Sequence, residues 1–273
     1  MRSLSREAGT ALAIVLLTLS AARSGVAQTP QDGTARTTAA ASTATDAAMS
    51  ALGKLRPDAA FYTYAAGSRN ELTIVAEITA REIEAGRWKA GGAVSVSATA
   101  AAGRDTLSLS AEARIEPGAR TALITIRIPP GQPARVWNIV TRVRGTDGLL
   151  EDTVEGSTGT EEVIGAPLLF RTGPSPRAPV RWTAEPQFIP TERIHVEWPV
   201  STANGPRTVR ILDRRGTPAP MVIAVSEREG NEGVVVSADA SLAPLAPGDY
   251  VMEIATRKGV EPIIRLIAFR VAR

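Results

Sequence analysis

The chain has 273 residues with 31 Lys+Arg, 28 Asp+Glu, one His and no Cys. That inventory excludes disulfide stapling, cysteine nucleophiles, thiolate metal sites and an acylated lipoprotein anchor. Setting aside Arg2, Arg6, Arg23 and Glu7 of a leader-like start leaves 28 basic against 27 acidic side chains, a balance that gathers no phosphates and makes nucleic acid an unexpected partner.

Ala11 to Ala22 is an apolar run behind a basic start (Arg2, Arg6) and ahead of Gly25-Val26-Ala27. As a helix the run reaches about 18 Å, well short of a hydrocarbon core of roughly 30 Å. The small residues at Gly25 and Ala27 suit a signal peptidase, so residues 1–27 read as a signal peptide cleaved after Ala27. Export to the periplasm or beyond follows, with no stable membrane span after cleavage. Residues 28–56, rich in Ala, Thr and Ser, read as a disordered linker, with a helical turn at Ala47 to Leu55 that Pro57 ends.

From Pro57 onward the apolar period is two. Glu71 to Arg81 places Leu72, Ile74, Ala76, Ile78 and Ala80 on one face and polar residues on the other, broken only by Val75. Val94 to Ala100, Thr106 to Glu116, Thr121 to Ile128 and Val136 to Arg144 repeat the alternation, with Pro117-Gly118 and Pro129 to Pro133 as breaks. Gly156 to Pro179 shifts toward Gly, Thr and Pro and marks a boundary, stiffened by the apolar Ala166 to Arg171. Beyond it, strands are expected at Arg193 to Trp198, Arg207 to Leu212, Met221 to Ser226, Gly233 to Ser237, Asp249 to Thr256 and Pro262 to Val271. Turns fall at Asn204-Gly205, Arg215-Gly216, Gly230 to Gly233 and Lys258-Gly259. The expectation is an all-β chain of two tandem immunoglobulin- or fibronectin-III-like β-sandwiches, residues 57–162 and 163–273. In Pro247-Gly248-Asp249-Tyr250 the Tyr is placed to hydrogen-bond back across a corner between strands.

Candidate chemistry is sparse. His195 shares a polar strand face with Arg193 and Glu197 and reads as a surface position. The acids Glu151, Asp152, Glu155, Glu161 and Glu162 read as a solvated loop, since neighbours on a strand diverge and calcium needs spaced oxygen ligands. Trp88, Trp137, Trp182 and Trp198 read as core anchors in a chain poor in aromatics. There is no phosphate-loop or dinucleotide spacing and no nucleophile elbow. No catalytic, cofactor-binding or metal-ligating residue is assigned, and no cofactor is expected.

Several phrases taken together resemble the C-terminal region of bacterial secreted VWFA-related domain proteins. They are Leu55 to Tyr64, Glu84-Ala85-Gly86-Arg87-Trp88, Phe170 to Arg177, Thr191 to Trp198 and Leu245 to Tyr250. The resemblance implies export and β-rich accessory modules. It carries over no metal-dependent adhesion, because the family's A domain is not among the matched phrases.

The expected role is a non-enzymatic interaction or scaffolding protein whose partner is another envelope or extracellular protein, or a glycan. One alternative is a carbohydrate-binding module, which requires exposed Trp faces. The other is a hydrolase, which requires two acids facing each other across a cleft at about 5 to 9.5 Å.

Overall fold

A computed structural model describes residues 59–273 except 69, 103–104, 130–134, 159–162, 176, 202–205, 231–232 and 259–260, together with 46, 49, 50 and 53. The expected signal peptide and most of the linker lie outside the described residues. Of the expected helical turn, Met49, Ser50 and Gly53 are described and are helical. From residue 59 the described residues are all-β, with one five-residue helix among them.

The first half holds β1 (Phe61–Gly67), β2 (Glu71–Ile78), α1 (Ala80–Glu84), β3 (Gly92–Ala102), β4 (Asp105–Ile115), β5 (Thr121–Arg127), β6 (Arg135–Gly145) and β7 (Gly148–Thr158). Three strands form one sheet, β1-β2-β5, and four form the other, β4-β3-β6-β7, all antiparallel. The two sheets face each other across one core. Leu72, Ile74, Ala76 and Ile78 on one side meet Val94, Val96, Ala98, Trp137 and Ile139 on the other. Period-two alternation produces this directly, because it sends every second side chain to the same face.

The second half holds β8 (Leu168–Thr172), β9 (Arg181–Trp182), β10 (Gln187–Phe188), β11 (Arg193–Val200), β12 (Thr208–Leu212), β13 (Ala224–Gly230), β14 (Gly233–Ser241), β15 (Gly248–Lys258) and β16 (Glu261–Val271). Its sheets run β13-β14-β11-β8-β9 and β10-β16-β15-β12, with β10 parallel to β16. They enclose a second core around Val196, Trp198, Met252, Ile254 and Phe269. At the entry to β15, Tyr250 Oη donates to the carbonyl of Ala246 at 2.8 Å and its ring stacks on Phe269. The corner expected from Pro247-Gly248-Asp249-Tyr250 is therefore present.

Several expected boundaries are corrected. The strand beginning at Glu71 stops at Ile78, and Ala80 starts α1, where the Thr79 carbonyl accepts from the Glu82 and Ile83 N–H groups. The acids expected in a solvated loop lie instead on β7: Gly145 pairs with Gly148 across a two-residue Thr146-Asp147 turn, a hairpin that carries Glu151, Asp152 and Glu155 into the ladder. Glu161 and Glu162 lie outside the described residues. The strand expected at Met221 begins at Ala224, since Met221 and Ile223 pack against the core from a coil.

Where β1 crosses β7, Gly67 allows the backbones to touch: a Cβ there would stand 1.7 Å from the Ser157 carbonyl oxygen. Nearby β1 is tied down by Thr63 N–H, which donates to buried Asp152 Oδ2 at 2.8 Å. Gly67→Ala is expected to destabilise the fold by about 1 to 3 kcal/mol through this collision. Gly118→Asn is expected to be near neutral, because that position has φ 77°, which Asn tolerates, and open space around it. Paired denaturant melts check both.

Candidate functional site

The densest polar arrangement in the described residues sits at the joint between the two halves, and β2 creates it. The strand buries both of its faces. Its even-numbered residues enter the first core, while Val75 and Glu77 face the second half. Around Val75 an apolar patch joins Tyr62, Tyr64 and Ala66 of β1 to Ala166 and Ala184, with Leu168 and Trp182 packed against it. Tyr64 Oη donates to the Pro167 carbonyl at 2.5 Å, and burial pushes this phenol well above the ordinary tyrosine range.

Glu77 lies one turn of the pleat further on and is almost fully buried. Its Oε2 accepts from Thr183 Oγ1 at 2.6 Å, Ala184 N–H at 2.8 Å and Glu185 N–H at 2.9 Å. Its Oε1 accepts from Arg120 Nη2 at 2.9 Å. The same Arg120 nitrogen reaches Glu185 Oε2 at 2.9 Å. Arg120 is itself fixed by its Nε, which donates to the Ile78 carbonyl at 3.2 Å.

Arg171 of β8 closes the cluster from the other side. It donates to Thr183 Oγ1, to the Glu185 and Gln187 carbonyls and to Glu192 Oε1, all between 3.0 and 3.2 Å, and lies over the Phe188 ring. Burial holds the Glu185 carboxyl above the usual glutamate range; Arg171 and Arg120 pull it down, and Glu77 pushes it further up. Two carboxylates and two guanidiniums are thus locked together inside the joint. The Arg120 guanidinium bridges the two carboxylates and takes the space between them.

The residues singled out from sequence are dispersed. His195 is more enclosed than the expected surface position: its ring meets Phe170 edge-on, and its nitrogens lie 3.5 Å from Glu197 Oε1 and 3.6 Å from Asp239 Oδ2. The cause is register, since β14 sets Asp239 opposite His195 and β8 sets Phe170 there. The His195 contact comes first, and with Arg228 it holds the Glu197 carboxyl below the usual range, against the effect of burial.

Trp88, Trp137 and Trp198 are buried core side chains, as expected, and Trp137 Nε1 donates to Thr158 Oγ1 at 2.7 Å. Trp182 is half-buried against Phe170, ring centroids 4.2 Å apart. Three of the four indoles therefore offer no face to a sugar. Trp88 has φ 59°, a strained value for a bulky residue. Its N–H donates to Asp147 at 3.0 Å, which anchors the segment after α1 to the β6–β7 turn. Among the described residues no group of three or more His, Cys, Asp or Glu is placed to hold a metal ion.

Sequence reasoning passed over Glu77, Arg120, Arg171, Thr183 and Glu185. The one available signal was Val75, the apolar residue that breaks the polar face of β2.

Removing one partner from a buried, hydrogen-bonded ion pair costs about 3 to 5 kcal/mol, so Glu77→Ala is expected to destabilise the chain by that order in equilibrium unfolding. Glu185 behaves oppositely. Its folded pKa is raised, so ionisation opposes folding above that pKa, and the penalty is relieved as the pH falls through it. Glu185→Gln is therefore expected to raise the melting temperature at pH 7, with the gain shrinking toward pH 4. A lower melting temperature at pH 7 would contradict this assignment. No protein-family model matches the chain, and no curated protein matches it.

Proposed function

We propose that the chain is an exported, non-enzymatic scaffold of two β-sandwich modules, dividing between Thr158 and Val163, that holds two sets of recognition loops at a fixed relative orientation. The strand order supports the module types. In the first half, β1-β2-β5 against β4-β3-β6-β7 corresponds to the A-B-E and C′-C-F-G sheets of a fibronectin type III domain. In the second, β13-β14-β11-β8 against β10-β16-β15-β12 corresponds to the D-E-B-A and A′-G-F-C sheets of an immunoglobulin domain. The Tyr250 corner at the start of the F-equivalent strand is a further immunoglobulin feature.

The observation that carries the functional reading is the joint. Linked domains ordinarily move relative to one another unless their interface is extensive. Here the connection is short and β8 belongs to the second-half ladder. A buried carboxylate of one half accepts two backbone N–H groups of the other. A spacer of fixed geometry suits presentation of loops to an envelope or extracellular protein, and sandwiches commonly carry their function on such loops. The leader and the phrases shared with VWFA-related secreted proteins support export. No helix among the described residues is long and apolar enough to cross a membrane. Of the four tryptophans that the carbohydrate-binding alternative would use, Trp88, Trp137 and Trp198 are buried and Trp182 is half-buried.

Two measurements test this reading. Intact-mass analysis of the protein recovered outside the cytoplasm is expected to begin at Gln28, and a retained Met1 would overturn the cleavage. Immobilised chain from Gln28 to Arg273 is expected to retain a partner from envelope extract that the Glu77→Ala variant retains at least several-fold less well. Equal retention by the two proteins would remove the fixed joint from the mechanism, and recovery of nothing above a blank matrix would remove the partner.

A further inference from the structure

Every open sheet has edges, and an edge strand presents unpaired N–H and C=O groups that invite another strand. Most edges in this chain are covered or too short to serve. The free side of β7 is faced by β1 through Thr63 and Gly67. The start of β5 is held under the second half, where Thr121 Oγ1 donates to the Trp182 carbonyl at 3.4 Å. Leu212 of β12 is bridged by Pro218. β9 and β10 are two residues each. Among the described residues β4, which β5 adjoins, and β13 are the long edges that remain.

Charge separates these two. Antiparallel pairing of β13 with its own copy at full overlap centres on Glu227 and sets that carboxylate against itself, a like-charge contact that disfavours the pair. β4 spans Asp105 to Ile115, and its midpoint is Ser110. At full overlap Ser110 meets Ser110 of the second copy, Ser108 meets Glu112, and Thr106 meets Arg114, with no like charges opposed.

On the core-facing side the same register sets Leu109 against Ala111 and Leu107 against Ala113, a large side chain beside a small one each time. These four residues are only half-buried in the single chain, packed against the first core from the edge of its four-stranded sheet. The strand carries exposed charges at Asp105, Glu112 and Arg114, but it contains no Pro and no Lys, and it pairs with β3 without a bulge through all 11 positions.

We propose that β4 is a self-association edge: two copies pair β4 to β4 in antiparallel fashion about a two-fold axis at Ser110, merging their four-stranded sheets into one continuous sheet. This stands apart from the export and recruitment reading and needs no heterologous partner. Closed two-fold symmetry uses the edge of each copy completely, so association stops at the dimer.

Sedimentation velocity on the chain from Gln28 to Arg273 is expected to show a concentration-dependent dimer. Ser110 is exposed, so substitution there leaves the monomer fold intact while acting at the axis. Ser110→Lys and Ser110→Glu are each expected to weaken the dimer at least tenfold, and an equimolar mixture of the two to restore it. Ser110→Cys gives a second readout in a chain without cysteine. Opposed Cα atoms in antiparallel strands lie about 4.5 to 5.5 Å apart, within disulfide reach, so mild oxidation should cross-link this variant and leave Ser226→Cys on β13 unlinked. A wild-type chain that stays monomeric throughout, a dimer indifferent to Ser110→Lys, or equal cross-linking at the two cysteine positions would overturn the proposal. So would a monomer that binds a foreign extended peptide at β4.

Discussion

Moving a carboxylate out of water costs several kcal/mol unless hydrogen bonds and opposite charge replace its hydration. Glu77 is almost fully buried, and its replacements come from both halves of the chain: Arg120 from the first, and the Thr183-Ala184-Glu185 segment from the second. Sliding or rotating one half against the other would strip partners from a buried charge, and no intermediate geometry can satisfy it. A buried ion pair adds little net stability over an apolar contact of the same shape, but it penalises every wrong arrangement. The Glu77 bonds span the joint, and the apolar patch around Tyr64 and Val75 lies beside them.

The same logic of close approach organises the first half. Its two sheets contain three and four strands, so one edge can be sealed well only at the expense of the other. At β1 and β7 the seal is made by a glycine, a buried Asp152 and a backbone N–H. At β4 the core-facing leucines remain partly uncovered.

Most strands are legible because alternation requires only one buried face, and β3, β5, β6 and β11 each have one. The legibility failed where a strand serves two masters. β2 was readable on its even positions, yet its odd positions look polar and partly carry the joint; Val75 alone betrayed the second contact. The acids of β7 suit a solvated loop because neighbours on a strand diverge, although the Asp147-Gly148 pair is a hairpin signal and Asp152 is buried by β1, a strand 89 residues away in sequence. His195 was placed on the correct face, but its enclosure depends on Phe170 and Asp239, which reach it only through sheet register.

By itself the sequence determined the period-two alternation, the Tyr250 corner and the lack of thiol or clustered imidazole chemistry, since these depend on neighbours in the chain or on composition. Tertiary structure decided which polar residues are buried, which edges are sealed and how the halves are fixed. Those outcomes depend on groups far apart in sequence meeting at hydrogen-bond distance. A lone Glu in an alternating strand carries the same local pattern whether it faces water or two arginines.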